Sequence, residues 1–112
     1  MNIVYKNDKV EEQCTKLKIA KKKFPEKVAN KLFKLINFIE AADNLYSITS
    51  FQPYHFHNLK GKKDGFYSID IDGRKSSYRL IVTFNDEDLS KVFSDGKSIE
   101  VIKIEEVSKH HE

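Results

Sequence analysis

Residues 65–84 read GFYSIDIDGRKSSYRLIVTF, and this stretch decides the fold. Tyr67, Ile69 and Ile71 alternate with Ser68, Asp70 and Asp72, the two-residue period of a strand with one apolar and one polar face. Asp72-Gly73 is a turn signal. The period resumes at Tyr78, with Leu80, Val82 and Phe84 on one face. Two alternating runs around a turn predict an antiparallel hairpin with one face towards a core. Upstream, Phe56 and Leu59 flank a short strand. Downstream, turns at Asn85–Asp88 and Asp95-Gly96 lead to a last strand over Ser98–Val107. Its phase shifts near Val101-Ile102, which predicts burial on both faces or a bulge there.

Before residue 45 the period is helical. Asn7 or Asp8 is placed to cap a helix, with Glu11 and Glu12 in its first turn. Val10, Cys14 and Leu17 form its apolar stripe. Pro25 suits the first turn of a second helix. Val28, Leu32, Leu35, Ile36 and Ile39 then share one face, and this helix ends near Ala41–Asn44. Ile3-Val4-Tyr5 is β-prone and reads as a first strand. The expected fold class is α+β: an N-terminal short strand and an αα-hairpin packed on one face of an antiparallel β-sheet, in the order β-α-α-β-β-β-β. One domain spans 1–112, since 112 residues and 13.1 kDa are one domain's worth of chain.

Composition narrows the function classes. One cysteine, Cys14, excludes an intrachain disulfide framework and a cysteine-rich zinc module. No apolar run approaches the ~18 residues of a membrane span, and the N-terminus has no apolar signal-peptide region. A soluble, cytoplasmic protein with no membrane partner is expected. The net charge of +3 is unevenly spread. Residues 1–79 hold sixteen Lys/Arg against nine Asp/Glu, and residues 80–112 hold four against eight. One basic cluster lies on the helices, from Lys16 to Lys34. The other comprises Lys60, Lys62, Lys63, Arg74, Lys75 and Arg79, and contains both arginines of the chain. Basic clusters concentrate polyanions. Antiparallel neighbours can bring Lys60, Arg74 and Arg79 to one sheet surface, and three converging cations call for an anionic partner. Tyr67 and Tyr78, close to them in sequence, are candidates for stacking on bases. His110 and His111 follow the last strand and are candidates for proton transfer.

Leu59-Lys60-Gly61, the Gly65-Phe66-Tyr67 strand start, Tyr78-Arg79-Leu80-Ile81 and the terminal Val107-Ser108-Lys109-His110-His111, taken in order, resemble HigB-like toxins of the RelE/ParE superfamily. The resemblance covers nearly the whole chain. It implies a small RelE-like ribonuclease that cuts messenger RNA on the ribosome, neutralised by a cognate helix-turn-helix antitoxin. It implies catalytic roles for Lys60, Arg74, Arg79 and His110 or His111; from the basic cluster itself, Lys62, Lys63 and Lys75, with Tyr67 and Tyr78, are the expected RNA-binding residues. The segment Asp86–Lys97 looks longer than in compact members, so the last hairpin is expected to project.

RNA can cut itself when a 2′-hydroxyl attacks the adjacent phosphate. Arginine suits the phosphate, and a lysine crowded by cations is pushed towards its neutral form. No metal or cofactor is required. Arg79→Ala is expected to leave the fold intact, and the antitoxin to contact residues 8–42. The rival readings are a ParE-like gyrase poison and a plain RNA-binding module. A metal site on His55, His57 and the terminal histidines has no supporting carboxylate or thiol spacing.

Overall fold

The computed structural model describes residues 1–61 and 64–109. Strand β1 (Asn2–Tyr5) leads into helices α1 (Asp8–Thr15), α2 (Leu17–Lys23), α3 (Glu26–Ala41) and the short α4 (Tyr46–Thr49). A 3-10 turn at Gln52–Tyr54 precedes β2 (His57–Asn58), β3 (Tyr67–Asp70) and β4 (Tyr78–Thr83). Two further 3-10 segments, Asp86–Lys91 and Gly96–Ser98, lead to β5 (Val101–Lys109). The five strands form one sheet in the order β1-β5-β4-β3-β2. The α+β class is as the periodicity implies, with helices covering one face.

Three details correct the expectation. First, the sheet is mixed: β1 runs parallel to β5, pairing Asn2 with Val101 through Tyr5 with Ile104. A four-residue strand carries no periodicity that fixes its partner or direction. Second, the αα-hairpin is three helices. Asn7 does cap α1, its side-chain oxygen accepting the Val10 N–H at 3.0 Å. Lys16 then turns extended, at φ −116° and ψ 104°, and ends the helix. The phase resets, so Leu17 is 38% exposed and drops out of the stripe. Third, the bulge lies at Glu105 and not at Val101-Ile102. Ile81 pairs with Glu106 and Val82 with Ile104, leaving Glu105 extra.

The inner face of the sheet carries Tyr67, Ile69, Leu80, Val82, Ile102 and Ile104, all buried against Leu32, Leu35, Ile36 and Ile39 of α3 and their neighbours. The expected projection of Asp86–Lys97 is also corrected. Val92 is buried at 2% exposure, and Phe93 packs its edge on Phe56 and Tyr67, so the segment folds back on the core. The outer face is less wet than its polar residues suggest. Ser68 and Asp70 are each 1% exposed, so β3 is covered on both sides. Among the described residues, no helix is long and apolar enough to cross a membrane.

Cys14 sits inside the helical layer, and burial pushes its thiol up to about 12. A neutral, covered thiol is a poor nucleophile. We expect iodoacetamide to leave the native protein unmodified at pH 7.5 and to alkylate Cys14 in urea; rapid native alkylation would contradict the packing described.

Candidate functional site

The hairpin of β3 and β4 organises the outer face. Its register sets Asp70 opposite Arg79. Asp70, with no exposed side-chain surface, lies 3.0 Å from Nε of Arg79. The contact is ionic, because neither oxygen of Asp70 accepts a hydrogen bond among the described residues. The rest of the Arg79 guanidinium folds over the turn. Nη1 donates to the carbonyls of Ser76, Tyr78 (2.9 Å) and Gly73 (3.5 Å), and Nη2 donates to the carbonyl of Arg74 at 3.0 Å. The turn itself needs Gly73, at φ +77°, where a side chain would be strained.

This arrangement sorts the residues expected from sequence. Arg79 is committed to Asp70 and to four carbonyls, and its side chain is 15% exposed. It is a clamp on the hairpin rather than a free phosphate ligand. Arg74, by contrast, is exposed on the turn that Arg79 holds, and it makes no salt bridge among the described residues; Lys75 is exposed beside it. Lys60 is not brought to them. The Leu59 N–H donates to the Phe66 carbonyl, so Lys60 leaves the sheet at the opposite end of β3 from Asp70. At ~3.3 Å per residue, the step from Phe66 to Asp70 alone is ~13 Å along the strand.

Both tyrosines are also corrected. Tyr67 is 7% exposed and stacks on Phe56 at 5.3 Å, with Phe84 and Phe93 at its edges, so it has no face to offer a base. Tyr78 faces the helices, where its ring meets Phe24 at 5.9 Å and the Lys109 ammonium at 5.6 Å. A tyrosine on the apolar phase of a strand goes to the core; the phase that places Ile69 and Leu80 also places these rings. Lys62, Lys63, His110 and His111 lie outside the described residues.

What the structure brings to Arg74 and Arg79 is His55 and His57. Their rings are 4.5 Å apart. His55 closes the 3-10 turn in a left-handed conformation, at φ 44°, the one positive φ outside glycine among the described residues. His57 pairs with Ser68, beside Asp70 on the outer face. Nδ1 of His57 is 2.8 Å from the His55 carbonyl. A carbonyl only accepts, so Nδ1 carries a proton, and in the neutral imidazole Nε2 presents the lone pair. Burial, then the Arg74 cation and the charge His57 carries when protonated, push the pKa of His55 down, with Asp70 pulling the other way. The signal for this pair was the His55-x-His57 spacing, which puts two side chains on one face of an extended segment. It reads as metal ligation only if further ligands converge. Among the described residues, no group of three or more His, Cys, Asp or Glu is placed to hold a metal.

The outer face thus combines an exposed arginine, a buried ion pair that sets its turn, and two imidazoles with a free ring nitrogen. A sequence model described as "RelE-like toxin of type II toxin-antitoxin system HigB" matches residues 5–97. The chain therefore belongs to the HigB-like family of toxins from type II toxin–antitoxin systems. Among solved structures, YafQ from E. coli strain BL21(DE3) superposes with a TM-score of 0.57 at 16% identity, over 97% of this chain and 92% of that one. The YoeB–YefM complex from Staphylococcus aureus gives a TM-score of 0.54 at 20% identity, over 99% of this chain and 98% of that one. These two likenesses establish the fold. By sequence, no curated protein matches the chain.

Two outcomes follow from the site as described. Arg79→Ala would strand a buried carboxylate and four carbonyls, so we expect a loss of about 3 kcal/mol in urea unfolding, in contrast to the sequence-based expectation of an intact fold. Adding Asp70→Ala should return part of that loss; an unchanged midpoint in the single variant would show that the pair is not structural. In a proton NMR titration, the His55 imidazole should titrate below its ordinary 6.5. Arg74→Gln removes a cation that opposes protonation, so it should move that midpoint upwards; a downward move would contradict the arrangement.

Proposed function

We propose that this toxin is an endoribonuclease that cuts translated messenger RNA on the ribosome and is neutralised by a cognate helix-turn-helix antitoxin. The observation that carries the reading is the meeting of exposed Arg74 with the His55–His57 pair over the Asp70–Arg79 clamp. The relatives support it too: the family is one of toxins, and the YoeB structure is a complex with YefM.

The chemistry divides among these groups. Arg74, with Lys75, holds the scissile phosphate, its charge fixed at every physiological pH. The 2′-hydroxyl gives its proton to Nε2 of His57 and attacks the adjacent phosphorus in line. The 5′-oxygen leaves and takes a proton from an acid, a role the reading assigns to His110 or His111. The products are a 2′,3′-cyclic phosphate and a 5′-hydroxyl end. His55 fixes the tautomer of His57 through its carbonyl. Lys60 is assigned to the RNA backbone away from the reacting bond, Lys62 and Lys63 are kept as RNA-binding residues, and the ribosome supplies much of the positioning. The antitoxin is assigned to the lysine-rich helices over residues 8–42, where charge complementarity is greatest.

Expression of the chain without its antitoxin should arrest growth and leave translated messages cleaved, as read by primer extension. Arg74→Ala should reduce cleavage by ~10²–10³ while leaving the unfolding midpoint unchanged. His57→Ala should cost ~10²–10⁴. Intact messages with trapped gyrase–DNA complexes would overturn the reading in favour of a ParE-like gyrase poison. Intact messages with untouched gyrase would leave an RNA-binding module.

A further inference from the structure

A cleft of about 260 Å³ opens on the other side of the same hairpin, between it and α3. One wall is the chain from Asp70 to Gly73, the stretch that ends at Arg74. The opposite wall is Lys31 and Lys34, one turn apart on α3, and the floor is Phe51, Pro53 and Tyr54. The aromatic floor is built as a unit: Phe51 lies 4.9 Å from Tyr54 and 5.2 Å from Phe38, and Phe38 lies 5.1 Å from Tyr54. Despite this packing, Phe51 remains 41% exposed, one of few large apolar side chains left so open.

The charges at the rim are not balanced. The two carboxylates present are already taken, Asp70 by Arg79 and Asp72 by Lys27 at 3.7 Å. Lys31 and Lys34 make no salt bridge among the described residues. An open aromatic surface beside two uncompensated lysines matches a nucleotide, whose base stacks and whose phosphate is anionic. The volume falls just below the ~300–1,000 Å³ of drug-sized sites, so it suits one ring and excludes a docked helix.

We propose that this cleft is a nucleotide subsite of the toxin: one unpaired RNA base stacks on Phe51 and Tyr54, and its phosphate meets Lys31 and Lys34. The proposal rests on the ribonuclease reading for its substrate, because Gly73 and Arg74 connect the cleft to the phosphate held at the reacting bond. It adds a base contact to the phosphate and 2′-hydroxyl contacts of the reacting bond, at a site that selects for an unstacked nucleotide beside the cut.

The test is a fluorescence anisotropy titration of the purified chain with a labelled single-stranded RNA hexanucleotide, paired with primer extension on a translated message. Phe51→Ser and the double variant Lys31→Gln/Lys34→Gln should each weaken RNA binding by roughly 10-fold, the scale of one lost base stack. Lys16→Gln/Lys18→Gln removes the same charge from exposed positions at the α1–α2 junction and should change binding by less than about 2-fold. Unfolding midpoints measured on every variant separate lost binding from lost fold. Equal weakening by both lysine pairs, or none by Phe51→Ser in a folded protein, would overturn the subsite. If the native chain cuts messages and Phe51→Ser cuts the same positions equally well, the subsite fails and the nuclease stands. If the native chain does not cut, the nuclease reading fails, and the binding titration still judges the cleft. Displacement of the RNA by excess N-acetyl-tyrosinamide but not by adenosine monophosphate would hand the cleft to a peptide aromatic and overturn the proposal.

Discussion

The ion pair between Asp70 and Arg79 is the contact on which the outer face depends. A carboxylate with no exposure cannot remain charged without a cation beside it. Arg79 meets that need across the strand pair and, with its remaining N–H groups, closes the turn that carries Gly73, Arg74 and Ser76. One guanidinium therefore sets both the hairpin's charge balance and its shape. The exposed Arg74 is held where it is because Arg79 is not free. Two arginines five residues apart divide the labour between holding and reaching.

The hairpin also explains why the site lies at one end of the sheet. Beyond Ser68, β2 no longer pairs, and the chain around His55 turns against the uncovered edge of β3. His55 accepts an unfavourable backbone conformation there, and its carbonyl fixes the proton on His57. Strained residues of this kind cluster at functional sites when the surrounding packing enforces them. His55 lies in the chain between two aromatic pairs, Phe51 with Tyr54 and Phe56 with Tyr67.

Much of this was legible in the sequence. The hairpin over residues 65–84 and helix α3 follow from periods of two and near four. A tight turn centred on Asp72-Gly73 would set Asp70 opposite Lys75; the longer turn over residues 71–77 sets it opposite Arg79 instead, and periodicity does not show that length. What periodicity could not supply is partnership. Nothing in Ile3-Val4-Tyr5 says that it will run parallel to the last strand, and nothing in Lys16 announces a break between two helices. Tyr67 and Tyr78 lie close to cations in sequence, but their phase along the strands sends them inward. Antiparallel pairing does put Lys60 beside β3, but at the end of that strand far from Asp70 and the turn that carries Arg74. The histidines at 55 and 57 carried a real signal, a shared face, whose meaning depended on the neighbours that folding brought to it.

In the proposed reaction these side chains direct a 2′-hydroxyl at its neighbouring phosphate. The most direct measurement is the chemistry of the ends left on a translated message, read by mass spectrometry of the cleaved fragments. A 2′,3′-cyclic phosphate, or its opened monophosphate, is expected on one fragment and a 5′-hydroxyl on the other. A 3′-hydroxyl paired with a 5′-phosphate would mean that water attacked instead, and would contradict the proposed reaction.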